Sequence, residues 1–404
     1  MLYYAYQLQA DLMSPVRALA QVALSAVTLR RAAAGHDIAG NLAAAYEIVS
    51  RAHLTHHRPP FGIATTRVGN EIVAVTEEAA KVTPFATLLR FAKPSPLPQP
   101  RLLLVAPLSG HFATLLRNTV ETLLPEHDVY ITDWHNAREV PISAGRFGFD
   151  EYVEHLIDFL DVIGPGAHII AVCQPCVQAL AAAAVMAKSQ HRAAPRTMTL
   201  MAGPVDTRVN PTAVNKLAME KPIEWFERNL IASVPWGFKG ATRRVYPGFV
   251  QLSAFMSMNF DRHLQAHMDL FDHLAAGDQA KAEAIKTFYD EYCAVLDLPA
   301  EFYLETVRWI FQEARLATGT LEFQGKRVNP AAIRRTALLT VEGERDDICA
   351  VGQTLAAHDL CTSIRPSRQR HHLQPGAGHY GVFSGRKWQQ QIYPLVRNFV
   401  LAND

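Results

Sequence analysis

Ile169-Ile170-Ala171-Val172-Cys173-Gln174-Pro175-Cys176 opens as an apolar, β-branched run, stops at one nucleophilic residue, and passes at once into an alanine-rich helical stretch, Gln178 to Lys188. The pattern predicts a strand, a sharp turn and a helix. A residue at such a turn is lifted above the C-terminal edge of a parallel sheet by a strained backbone, which exposes a nucleophile to substrate. Here that residue is Cys173.

Outward from this turn, apolar runs read as buried strands at Leu102 to Ala106, Val129 to Thr132, His168 to Val172, Thr197 to Ala202 and Ala337 to Glu342. Between the second and third, Tyr152, Leu156, Phe159, Leu160 and Ile163 share one helical stripe; Asp150 is the expected N-cap and Gly164 closes the helix. Strands alternating with helices imply a parallel sheet covered on both faces, with ligands at the strands' C-terminal edges. The predicted fold class is α/β, an α/β-hydrolase core over 101–204 and 329–404. Between Pro204 and Val328 the strand signals give way to helical patterns and aromatics such as Trp225, Trp236, Phe249 and Phe260, so 205–328 reads as an inserted helical cap. Most of these aromatics belong to the core of such a subdomain, and a few are expected to line an apolar cleft. Lys93-Pro94-Ser95-Pro96-Leu97-Pro98-Gln99-Pro100 reads as a stiff linker that sets off 1–92 as an N-terminal extension, helical at its start.

At 404 residues and 49% hydrophobic content, the chain has ample material for a large core. Its 39 basic and 38 acidic residues leave a formal charge of +1, which points to no nucleic-acid partner. Cys173, Cys176, Cys293, Cys349 and Cys361 are odd in number and scattered, a distribution that suits a reducing compartment rather than a disulfide scaffold. The start, Met1-Leu2-Tyr3-Tyr4-Ala5-Tyr6, lacks the basic region of a secretory signal, and Asp11 interrupts the apolar run, so no transmembrane segment and a cytoplasmic location are expected. Residues 14–31, with Arg17, Arg30 and Arg31, form an amphipathic helix, either packed on its own domain or seeking a lipid or granule surface.

A cysteine thiol with an ordinary pKa of about 8.5 needs a base and an orienting acid to attack a carbonyl. In hydrolase order the acid follows a late strand. Gly343-Glu344-Arg345-Asp346-Asp347 supplies Asp346, with Asp347 as its close competitor. His379, set among glycines in Gly376-Ala377-Gly378-His379-Tyr380-Gly381, is the candidate base. The order Cys173, Asp346, His379 is that of this fold. Oxyanion donors are expected from the Gln174 N–H and from the backbone of Ser109, Gly110 and His111, a segment that also reads as a simple strand-to-helix turn. Elbows of this type usually carry glycines two residues either side of the nucleophile; Ala171 and Pro175 stand there instead. Cys176 reads as a buried helical thiol. His53, His56 and His57 lack further ligands at metal-binding spacing, and no phosphate or dinucleotide fingerprint occurs, so neither metal nor required cofactor is expected.

Six stretches carry a more specific likeness: Ala106-Pro107-Leu108-Ser109-Gly110-His111, Val129-Tyr130-Ile131-Thr132-Asp133-Trp134, Val172-Cys173-Gln174-Pro175, Arg243-Arg244-Val245-Tyr246-Pro247-Gly248-Phe249, Phe288-Tyr289-Asp290-Glu291-Tyr292 and Gly378-His379-Tyr380-Gly381-Val382-Phe383-Ser384-Gly385-Arg386. Together they resemble the intracellular polyhydroxybutyrate (PHB) depolymerases over nearly the whole chain. Asp133-Trp134 and the cysteine elbow are also similar to polyhydroxyalkanoate synthases. The resemblance implies hydrolysis of amorphous poly(3-hydroxybutyrate) at storage granules, with Cys173 as nucleophile, Asp346 as acid and His379 as base. It makes the granule surface the expected partner, and a thioester intermediate makes coenzyme A a competent alternative acceptor to water. A synthase-like acyltransferase and a non-catalytic granule-binding protein are the competing readings; the missing elbow glycines favour degradation over synthesis.

Overall fold

The computed structural model describes residues 2–34, 38–95, 98–258 and 260–404, without the side chains of 30–34, 38, 39 and 258. Eight strands form the central sheet: β1 (Thr76–Val82), β2 (Ala86–Ala92), β3 (Arg101–Val105), β4 (Asp128–Trp134), β5 (His168–Val172), β6 (Thr197–Met201), β7 (Ala337–Gly343) and β8 (Gln369–Gln374). Their spatial order is β8-β7-β6-β5-β3-β4-β2-β1. The six strands from β3 to β8 run parallel, and β2 pairs antiparallel with both β4 and β1. This is an α/β-hydrolase sheet.

The interior strands form where apolar runs can be buried on both faces. Every residue of β5, β6 and β7 is buried. The helices α3 (Arg117–Leu123), α4 (Phe149–Ile163) and α5 (Cys176–Lys188) belong to the same core. Helix α5 is buried along nearly its whole length, and its run of alanines, Ala179 and Ala181 to Ala184, lets it lie close against its neighbours.

Three local expectations change. Strands β1 and β2 precede the proline-rich segment, so the sheet begins inside the supposed extension, and the segment joins neighbouring parts of one sheet rather than two domains. Strand β1, Thr-Glu-Glu-Ala-Ala-Lys-Val, is an exposed edge whose charges guard against unwanted pairing, and such a strand has no apolar signature. Pro96 and Leu97 of that segment lie outside the described residues. Helix α4 starts earlier than expected, with Gly148 as N-cap, because the Glu151 carboxylate accepts the Gly148 N–H at 2.6 Å; Asp150 instead accepts the Gln324 N–H at 3.0 Å.

Residues 205–328 are mostly helical, with α6 (Ala213–Glu220), α7 (Ile223–Leu230), α8 (Gly248–Met258), α9 (Phe260–Ala276) and α10 (Gln279–Tyr292). Short strands also occur there: Ala232–Ser233, Arg244–Tyr246 and Leu298–Pro299 make a three-stranded ribbon. Phe226, Tyr246 and Phe249 are buried as core, whereas Trp236 and Phe260 are exposed.

At the start of the chain, α1 (Leu2–Ala34) is followed by α2 (Ile38–Arg51), which folds back alongside it. By length and composition alone, Leu2–Leu29 is apolar enough to cross a membrane, although the sequence led us to expect no segment of that kind. Asp11 did not shorten the apolar stretch because one carboxylate in a long helix lowers its mean hydropathy only slightly. Arg30 and Arg31 lie outside the described side chains. His56 is accounted for structurally: its Nε2 lies 2.9 Å from the Tyr6 hydroxyl, and burial pushes it down to about 3.

Candidate active site

Cys173 stands at the end of β5 with φ +66°, a left-handed conformation that a non-glycine residue adopts only under constraint. The constraint is visible on both sides. The Cys173 N–H donates to the Met201 carbonyl at 2.7 Å, and its own carbonyl accepts the Cys176 N–H at 3.2 Å as α5 begins. Pro175, at φ −74°, caps that helix without needing an N–H. Ala171 is fully buried within β5, so neither replacement for the usual glycines prevents the turn.

The other two residues come from loops beyond β7 and β8. Asp346 and His379 meet, with Nδ1 of His379 2.8 Å from Oδ2 of Asp346. The second oxygen of Asp346 accepts the Ile348 and Cys349 N–H groups at 2.9 and 2.8 Å, so the carboxylate is held at both ends. Asp347 is exposed. That separates two candidates the sequence left open. Glu342, fully buried at the end of β7, accepts the N–H groups of Gly352, Thr354 and Leu355 at 2.8–3.0 Å and so shapes the far side of the acid-bearing loop. The Arg345 N–H donates to the Ala377 carbonyl at 2.8 Å, tying this loop to the one that carries His379.

Burial by itself would lower the His379 pKa. The negative charges that Cys173 and Asp346 can carry, with side-chain hydrogen bonds to both, outweigh burial and hold the imidazole well above its ordinary value. The ring therefore has the thiol on one side and the carboxylate on the other. The four remaining thiols are pushed up by burial: Cys176 and Cys349 well above the usual range, Cys293 to about 11 and Cys361 to about 12. They are kept as thiols, and Cys176 bonds internally to the Ala171 carbonyl at 3.4 Å.

The loop after β3 is fixed by its first residue. The Ala106 N–H donates to Thr132 Oγ1 at 2.9 Å, and its carbonyl accepts both Trp134 Nε1 at 2.9 Å and the Tyr152 hydroxyl at 3.1 Å. Pro107 has no N–H, so Leu108 is the next donor after Ala106. It points at Gln174, whose side-chain Oε1 it meets at 3.4 Å. Of the residues expected from sequence, Gly110 and His111 contact the segment after α10. The Gly110 carbonyl accepts the Leu296 N–H at 3.0 Å, His111 bridges to Val295, and the His111 ring packs against Phe255 and Tyr292. Burial lowers His111 to about 4, so it is neutral there.

A thiol, an imidazole within its reach and a carboxylate behind the imidazole make a constellation suited to acyl transfer. The neighbouring Tyr380 is half-buried beside His379, with its hydroxyl pKa raised first by burial and then by the nearby Tyr292 and Cys173.

Among solved structures, 2-hydroxy-6-oxo-6-phenylhexa-2,4-dienoate hydrolase (BphD) from Rhodococcus sp. strain RHA1 is 11% identical, with 81% of this chain and 99% of that one covered at a TM-score of 0.45. Rv0554 from Mycobacterium tuberculosis is 14% identical, with coverage of 83% and 95% and a TM-score of 0.44. The meta-cleavage product hydrolase (CumD) from Pseudomonas fluorescens IP01 is 15% identical, with coverage of 84% and 95% and a TM-score of 0.39. Identities this low say nothing of substrate. No curated protein sequence matches the chain significantly. The family described as PHB de-polymerase C-terminus matches residues 202–404, half of the 404-residue chain, and that stretch includes both Asp346 and His379. The chain belongs to the PHB depolymerase family.

Proposed function

We propose that the protein cleaves the ester bonds of amorphous poly(3-hydroxybutyrate) through an acyl-enzyme on Cys173, at intracellular storage granules. Family membership supports ester hydrolysis, and the observation that carries the finer reading is the position of His379, bonded to Asp346 at 2.8 Å and facing Cys173.

His379 holds the proton it has taken from Cys173 while Sγ attacks the ester carbonyl carbon. The resulting oxyanion lies against the N–H groups of Gln174 and Leu108. When the C–O bond breaks, His379 returns the proton to the departing alkoxide, which leaves as the 3-hydroxyl end of the polymer. In the second half-reaction His379 takes a proton from water, the hydroxide attacks the thioester, and Cys173 departs and is reprotonated. The acid released is 3-hydroxybutyrate or a short oligomer. Since a thioester exchanges with a thiol at little cost in bond energy, coenzyme A can replace water here and carry the acyl group away.

The test uses native amorphous granules with wild type, Cys173→Ala and His379→Ala, each with and without coenzyme A. Loss of 3-hydroxybutyrate release in both variants is expected, by a factor of 10³ or more. Release that persists in Cys173→Ala removes the nucleophile assignment, whereas wild type that binds granules and releases nothing favours a non-catalytic granule protein. Failure of acyl-CoA to appear with wild type removes thiolysis and leaves hydrolysis.

A further inference from the structure

Helix α1 leaves a long apolar face uncovered. Tyr4, Leu8, Leu12, Leu19, Val22 and Leu29 are all exposed, Leu12, Leu19 and Leu29 by 66%, 70% and 75%. At 100° per residue these six side chains fall within an arc of roughly 100°, and the stripe runs for about 38 Å along the axis. Only 6% of the most apolar window of this helix is buried. Exposed apolar surface that is continuous on this scale marks a binding face.

The helix is nevertheless firmly held on its other side. Tyr3 is buried, donates its hydroxyl to Asp297 at 2.6 Å and meets Phe249 edge-on, while Tyr6 stacks on Phe249 at 4.0 Å. Beyond α1, α2 packs Ala44 and Ile48 against Leu270 and Leu274 of the cap. Both ends of α1 are thus tied to the same body, and Asp11 and Arg17 sit in its middle. A bilayer span would have to pull Tyr3 from its socket and bury two charges.

The flanks of the stripe say what it fits. Between residues 2 and 31 the charged residues are Asp11, Arg17, Arg30 and Arg31, and the polar positions among them are glutamine, serine and threonine. Anionic lipid is recognised by lysine- and arginine-rich flanks, and a specific helix pair by charges beside its seam. Three arginines, two of them only at the far end of the stripe, fall short of the four to eight basic residues of such a cluster, and no row of charges lines a seam. An uncharged, water-insoluble polyester offers apolar surface without fixed charge. We propose that this face of α1 adsorbs the enzyme onto the surface of polyhydroxybutyrate, an inference that rests on the polyester being the substrate.

The experiment compares the full chain carrying Leu12→Gln, Leu19→Gln and Val22→Gln with wild type, both in a Cys173→Ala background so that polymer is not consumed. Co-sedimentation with protein-free amorphous polyhydroxybutyrate granules measures adsorption. Partitioning should fall about a hundredfold in the triple variant. With Cys173 restored, the triple variant should lose release from granules but cleave a soluble 3-hydroxybutyrate trimer as wild type does. Unchanged sedimentation overturns the inference. So does wild type that binds phosphatidylglycerol vesicles as strongly as granules, or a triple variant whose sole change is dissociation of a dimer in light scattering. If wild type cleaves neither granules nor trimer while Cys173→Ala still adsorbs through α1, the proposed reaction fails and the adsorption face stands.

Discussion

A Cβ on Gly203 would stand 2.2 Å from both Cβ and Sγ of Cys176 and 2.9 Å from the Cys173 carbonyl oxygen. The close approach that glycines usually provide within the elbow is here provided by Gly203, just beyond the neighbouring strand β6. Gly203→Ala must therefore push α5 or the elbow aside. It should destabilise the protein by about 1–3 kcal/mol and lower ester cleavage at least tenfold, measured by urea unfolding and turnover of a soluble ester. Ala171→Gly, by contrast, should leave turnover within a few-fold, since the turn already forms without that glycine.

Asp346 and Asp347 are adjacent, but only the first touches His379. Asp346→Asn should lower kcat on the order of 10³–10⁴-fold by disturbing the tautomer and orientation of the ring. Asp347→Asn should change it less than threefold. Equal losses in the two variants would contradict the geometry.

Burial works to lower the His379 pKa, and the charges of Cys173 and Asp346 more than reverse it. Removing the first of those charges in Cys173→Ala should therefore lower the pKa of His379, read directly from its imidazole resonances across a pH titration. The stability linkage has a fixed sign. Because the folded value is raised, the protonated ring's contribution is complete below the ordinary imidazole value of about 6.5 and is lost as pH rises through the folded value. Wild type should thus lose more stability on the alkaline side than Cys173→Ala does.

Trp134 and Tyr152 share one acceptor, the Ala106 carbonyl, at the start of the loop that carries Leu108. Trp134→Phe removes one of those two bonds and leaves the ring packing. A stability loss of about 1 kcal/mol is expected, with a several-fold fall in kcat and little change in KM. A rise in KM alone would place Trp134 in substrate binding instead.

The elbow and its helix were legible because they depend on short-range facts. An apolar run of five residues and a run of alanines need no distant partner to be recognised, and β5 spans His168–Val172 as the sequence indicates. The positions of Asp346 and His379 were legible through chain order, since each follows a strand of the sheet. Strand β1 was not, because its seven residues carry three charges and become a strand only by pairing with β2.

What the sequence determined on its own was the set of chemical groups and the order in which the strands present them, because strand–turn–helix periodicity is local. Tertiary structure brought Asp346 rather than Asp347 to His379, turned the Leu108 N–H onto the Gln174 side chain, and supplied the space for Cys176 from Gly203. Each of those choices turns on a contact between segments distant in the chain, with margins of an ångström or less, and no local pattern encodes such a distance. The same holds for α1, whose apolar residues suit either packing on their own domain or a surface, and which the fold leaves uncovered.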